Sequence, residues 1–136
     1  MTAIDAIRRR GYATRPGASE AELGQLLTFC PGTPDVLLDL LRHTNGLHDE
    51  YDAGVVWPAS EIIERNRAMR SNPAFPSLYW SFEQVLFIGE DGGGNLFAFR
   101  VLPGYKGPED VYSWNHEDDS RTLFAPSLAE YLARRP

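Results

Sequence analysis

The 136-residue chain contains one cysteine, Cys30, so no intrachain disulfide can form, and a reducing cytoplasm is the expected location. A lone thiol at the end of a helical apolar face reads as a buried core residue. A catalytic thiol needs a base beside it, and the sequence places none there. No apolar run approaches the ~20 residues of a membrane helix, and the first residues lack the apolar stretch of a secretory signal. Positive charge is also short: 13 lysines and arginines face 19 aspartates and glutamates, a formal charge of −6. That balance argues against a nucleic-acid binder, whose phosphate contacts require a basic surface. It suits plain solubility or steering toward a basic protein partner. Enzyme motifs are missing as well, with no G-x-S-x-G elbow, paired cysteine site or H-E-x-x-H. The three histidines, His43, His48 and His116, are divided between a helix and two loops, and nothing requires them to converge. No catalytic residue, metal site or cofactor is expected.

What is present suffices for a core. The chain is 43% hydrophobic and 12% aromatic, and a domain of this length buries roughly two-thirds of its unfolded surface. Its most telling stretch is VLFIGEDGGGNLFAFRV, residues 85–101. Two apolar runs flank a tip of Asp91 and Gly92, Gly93 and Gly94, where glycine permits a sharp reversal. Beyond the tip, Phe97, Phe99 and Val101 alternate with Leu96, Ala98 and Arg100, the period of a strand. A phosphate loop is the competing reading, but such loops open a helix, and no Lys-Ser/Thr pair follows these glycines. The stretch predicts a β-hairpin.

The rest of the chain orders itself around that hairpin. Residues 1–18, with Arg8, Arg9 and Arg10, read as an N-terminal arm or short frayed helix ahead of a single domain over residues 19–136. Ser19 and Glu22 form a capping box for a helix carrying Leu23, Leu26, Leu27 and Cys30, which Pro31 and Gly32 stop. Thr33-Pro34-Asp35 opens a second helix with proline at its first position; Asn45-Gly46 closes it as a left-handed cap. A short strand through Val55, Val56 and Trp57 ends at Pro58, and Ser60 is placed to cap a third helix with Ile62, Ile63 and Met69 inward. A loop containing Pro103, Gly104, Gly107 and Pro108 precedes a strand from Val111 to Trp114. Residues 115–120 turn into a last strand, and Ser127 with Glu130 opens the terminal helix. Short connections between the late strands favour antiparallel pairing. The expected fold is α+β: one twisted antiparallel sheet, a late β-meander, with helices packed over it.

In this order and spacing, five pieces resemble the SMI1/KNR4 family of the SUKH superfamily: LLDLLRHTNGL from Leu37, VWPASEIIERN from Val56, LFIGEDGGGNLFAF from Leu86, VYSWNHEDD from Val111 and SLAEYL from Ser127. Thr33-Pro34 stands where the family usually has Leu-Pro. The resemblance implies a compact α+β domain with no established catalytic centre. Bacterial members are largely immunity proteins that neutralise toxins encoded beside them, often nucleases, and fungal relatives act through protein contacts. By that resemblance the partner is a cognate toxin domain or another protein, bound one to one. A scaffold domain for an endogenous protein and a small-ligand domain are the alternatives. Asn45, Gly46, Trp57, Pro58, Asp91, Gly92, Gly93, Gly94, Tyr112 and Trp114 lie within the matching pieces and are read as mainly structural.

Candidate contact residues fall in two acidic turns and one loop. Asp49, Glu50 and Asp52 surround Tyr51, an aromatic ringed by charge as in interface hot spots; a polar surface loop is the plainer reading. His116, Glu117, Asp118 and Asp119 match no metal-ligand spacing and suit a turn, where Asn and Asp bond locally. Should both turns share a side, they would present a basic nuclease with a phosphate-like surface, charge raising the association rate and aromatics supplying affinity. Among the aromatics buried core is the default, and Trp80, which follows an irregular loop, is the best candidate for partial exposure.

Overall fold

The computed structural model describes residues 1–102 and 108–136. The predicted loop positions Pro103, Gly104 and Gly107 lie outside these. The elements run α1 (Ala3–Arg10), α2 (Glu20–Phe29), α3 (Asp35–His43), β1 (Leu47–His48), β2 (Gly54–Val56), α4 (Ala59–Ser71), a 3-10 turn (Phe75–Ser77), β3 (Val85–Glu90), β4 (Leu96–Arg100), β5 (Val111–Trp114), β6 (Arg121–Ala125) and α5 (Leu128–Arg134). Four strands form an antiparallel meander in the order β3-β4-β5-β6. Its register pairs Glu90 with Leu96, Leu96 with Trp114 and Trp114 with Arg121. The α+β meander expected from sequence is therefore present. Beside it lies a second sheet that the sequence did not reveal, two strands in which Leu47 pairs with Val56. β1 has only two residues, too few for any periodicity to register.

Helices cover the meander because β3 and β4 are apolar on both faces. Val85 through Gly89 are all buried, as are Phe97, Ala98 and Phe99. α4 packs on β3 and α2, while α5 packs on β6 and α1. Buried Leu26, Leu37 and Leu41 meet the sheet's Leu86, Phe87 and Phe99 in one core. Two buried polar groups stitch the layers. Asn66 of α4 donates to the carbonyls of Ile62 (2.7 Å) and Phe87 (2.8 Å) and accepts from the Phe87 amide (2.8 Å), so its amide extends the β3 ladder. Tyr131 of α5 donates to the Val55 carbonyl at 2.6 Å. Gly89 makes room for that approach: a Cβ there would stand 2.0 Å from the Val55 oxygen.

Several local expectations change. The first residues form a capped helix, with Thr2 and Asp5 satisfying each other's backbone amides. Ala6 and Ile7 are buried, and Arg10 and Tyr12 bond carbonyls of α5. Pro34 is the N-cap of α3 rather than its first helical residue, and α3 ends at Thr44 in extended conformation. Asn45 instead accepts the Ala59 amide at 2.9 Å, capping α4 from a neighbouring loop. Ser60 therefore lies inside α4 and does not cap it. Ser127 caps α5, but Glu130 pairs with Arg134 at 3.1 Å.

Candidate functional site

The acidic loop between β1 and β2 is built around one of its own carboxylates. Asp49 Oδ1 accepts the amides of Tyr51 and Ala53, each at 2.9 Å, and its Oδ2 pairs with Arg135 at 3.0 Å. Arg135 is buried, its side chain 1% exposed, and also donates to the Glu90 carbonyl. Burial raises the Asp49 pKa, but the Ala53 amide, Arg135 and the Tyr51 amide outweigh it, leaving the carboxyl below its ordinary 3.8. Asp49 is thus an internal anchor. Glu50 and Asp52 are exposed, with Asp52 in the left-handed region at φ 63° that aspartate tolerates. Tyr51 between them is 83% exposed.

The second acidic turn has the same division. Asp119 accepts Trp114 Nε1 (2.7 Å), the Trp80 amide (2.9 Å) and the Arg121 guanidinium (3.0 Å). Burial again opposes its ionisation, and Trp114, the Trp80 amide and Arg121 together reverse that, holding the carboxyl below 3.8. Asp118 accepts the Ser120 amide, which lowers its pKa as well, yet the residue remains exposed, as does Glu117. His116 approaches Asn95 Oδ1 through Nδ1 at 2.9 Å.

The glycine tip joins the two turns. Asp91 Oδ1 accepts the amides of Gly93 (2.7 Å) and Asn95 (3.2 Å), which folds the tip on itself. Gly92 lies against the first loop: a Cβ there would be 3.9 Å from that of Ala53. Gly94 lies against the second, where a Cβ would stand 2.9 Å from the His116 ring at a φ of +97°. Only glycine fits both that backbone and that contact. Acidic loop, tip and His116 turn therefore form one contiguous rim.

Trp80 extends the rim. Phe75, Tyr79, Phe82, Phe87 and Trp114 pack edge to face, with Tyr79 5.1 Å from both Phe75 and Trp114. The Tyr79 hydroxyl donates to the His116 carbonyl at 2.8 Å. This cluster fixes the loop from which Trp80 protrudes, 82% exposed and so well beyond the partial exposure expected from sequence, above an open groove of about 760 Å³. Trp57 and Trp114 are core, and Tyr112 is half-buried. Trp57 Nε1 donates to Glu90 at 3.2 Å, and Pro58 precedes α4 as its N-cap residue.

Of the nine predicted contact residues, Glu50, Tyr51, Asp52, Trp80, Glu117 and Asp118 present exposed side chains, whereas Asp49, His116 and Asp119 hold the rim together. Sequence reasoning missed Arg135, Arg121 and Asn66, whose roles depend on partners distant in the chain and carry no local signal. Among the described residues, no three His, Cys, Asp or Glu side chains group as a metal site, and no helix is long and apolar enough to cross a membrane.

A comparison with curated proteins finds no match. The family profile described as SMI1 / KNR4 family (SUKH-1) matches residues 32–134, a span running from the turn after α2 to α5 and holding all three rim segments. On that match and the meander it encloses, the chain belongs to the SMI1/KNR4 family (SUKH-1).

Proposed function

We propose that this protein is a cytoplasmic immunity protein that neutralises a cognate toxin domain by stoichiometric binding, without turnover or cofactor. Domains of this family are commonly immunity proteins. The observation that carries the reading is the contiguous rim, along which Glu50, Asp52, Glu117 and Asp118 remain exposed beside Tyr51. Such a surface is complementary to the basic face with which a nuclease holds nucleic acid. Occlusion of that face would block the toxin, with exposed charge steering encounter and aromatic packing slowing release.

The test is calorimetry against the C-terminal domain of a secreted protein encoded beside this chain, at low and high salt. Tight one-to-one binding that weakens with salt is expected. Glu50→Gln, Tyr51→Ala and Asp52→Asn together should weaken it most at low salt, asparagine also tolerating the left-handed backbone at position 52. Asp49 is left intact, because its loss would disturb the loop itself. Failure of the wild-type protein to bind at either salt, with both proteins folded, would refute the immunity reading.

A further inference from the structure

The exposed indole of Trp80 is held from below in an unusual way. An exposed tryptophan on a proline-bearing loop is ordinarily free to move, since few buried contacts restrain such segments. Here both backbone polar groups of Trp80 are bound: its amide donates to Asp119 Oδ2 at 2.9 Å, and its carbonyl accepts Arg121 at 2.9 Å. Arg121 also donates to the Ser81 carbonyl at 3.1 Å. Asp119 and Arg121 are themselves paired at 3.0 Å, with side chains 9% and 28% exposed. Trp114, buried in the aromatic cluster, locks Asp119 from the core side. Asp119 adopts φ 61°, a conformation uncommon for residues other than glycine. Arg121 lies over the Phe82 ring at 5.0 Å.

The geometry points to Trp80 as a pre-organised anchor that inserts into an apolar pocket of the protein partner, with Asp119 and Arg121 as its positioning residues. This rests on the protein-binding reading above and names the element of that surface that carries affinity. Leu78 beside it is 63% exposed, so the anchor has an apolar shoulder. The fitting partner pocket is rimmed by lysine or arginine, because the exposed carboxylates of Glu83 and Asp118 line the groove around the indole. Arg70, which also lines that groove, directs its guanidinium to the Val85 carbonyl and the Phe29 ring. Holding the loop in its bound form before encounter removes the ordering cost that a mobile loop would incur on binding.

Two measurements test this. Amide relaxation of the free protein should give Trp80 an order parameter near that of rigid backbone, about 0.85, falling below about 0.6 in Arg121→Gln. A mobile Trp80 amide in the wild type, or one unaffected by Arg121→Gln, overturns the positioning role. Binding kinetics against the neighbouring toxin domain should show Trp80→Ala dissociating at least about 30-fold faster, the loss typical of a hot-spot residue, with little change in association. The double variant should be no weaker than Trp80→Ala alone within about 2-fold, since Arg121 acts through Trp80. Wild-type affinity in Trp80→Ala overturns the anchor while leaving the immunity reading standing. A double variant weaker by the full Arg121→Gln loss overturns the positioning role. Absence of wild-type binding, seen before any variant is compared, overturns both readings.

Discussion

Arg135 and Asp49 form a largely buried ion pair, and breaking it from either side gives different results. With Arg135 changed to methionine, Asp49 keeps two amide donors, from Tyr51 and Ala53, and can take water at its remaining oxygen because its side chain is 16% exposed. With Asp49 changed to alanine, a guanidinium only 1% exposed loses its side-chain carboxylate partner and keeps the backbone oxygens of Glu90 and Pro136. Removing one member of a buried pair costs about 3–5 kcal/mol, chiefly through the uncompensated charge that remains. Asp49→Ala should therefore fall at the upper end, about 4–5 kcal/mol, and Arg135→Met nearer about 3 kcal/mol. For a domain of this size, 4 kcal/mol corresponds to a fall of roughly 12 °C in melting temperature.

Urea unfolding followed by tryptophan fluorescence measures both losses. Glu50→Ala serves as the control and should change stability by no more than about 0.5 kcal/mol, as exposed substitutions do. The double variant Asp49→Ala/Arg135→Met should be less destabilised than the sum of the singles, since neither charge is left unpaired. A loss below about 1 kcal/mol in Asp49→Ala would refute the reasoning, because the pair would then behave as a solvated surface contact.

Asn66→Ala should cost about 3 kcal/mol by urea unfolding, because it removes three hydrogen bonds and strands the Phe87 amide and carbonyl; a loss under about 1 kcal/mol would mean that water replaces the side chain. Acid should destabilise the protein in a defined direction. Asp49 and Asp119 titrate below 3.8, so their stabilisation is complete above that value and is lost as pH falls through the lower folded-state values. The urea midpoint of the wild type should accordingly fall more steeply in that acid range than that of Asp49→Asn, and parallel curves would count against the assignment.

Features whose cause is local were legible in the sequence. The Ser19–Glu22 box, the apolar stripes of α2 and α3, the glycine tip and the order of helices and strands all follow from neighbours within a few positions. The α+β class followed from that order, and some exposure of Trp80, though not its extent, from its irregular loop. Features whose cause is distant were not legible. α1 has a capping pair in Thr2 and Asp5, but its stability depends on α5, whose carbonyls receive Arg10 and Tyr12 from more than a hundred residues away. Asn45 looked like a helix terminator because Asn-Gly commonly is one, and its capping of α4 appears only once the loop is placed beside Ala59. Within the candidate site, Asp49, Glu50 and Asp52 are indistinguishable by charge. What separates them is Arg135, 86 positions along the chain.

That separation recurs at both acidic turns and bears on how one fold serves different partners. At each turn one aspartate is bound to N–H donors and to an arginine, Asp49 to Arg135 and Asp119 to Arg121, while the side chains of its acidic neighbours are exposed. The bound aspartate fixes the backbone, so exposed Glu50, Tyr51 and Glu117 can change without loosening the turn. In the proposed binding role, substitutions at Glu50, Tyr51 and Glu117 would act on partner choice and association rate with little effect on stability. Substitutions at Asp49, Asp119, Arg121 and Arg135 act on the frame and affect binding only through it. A surface divided in this way can be rewritten for a new partner by exchanging side chains on a constant scaffold, which is how one fold can host different sites.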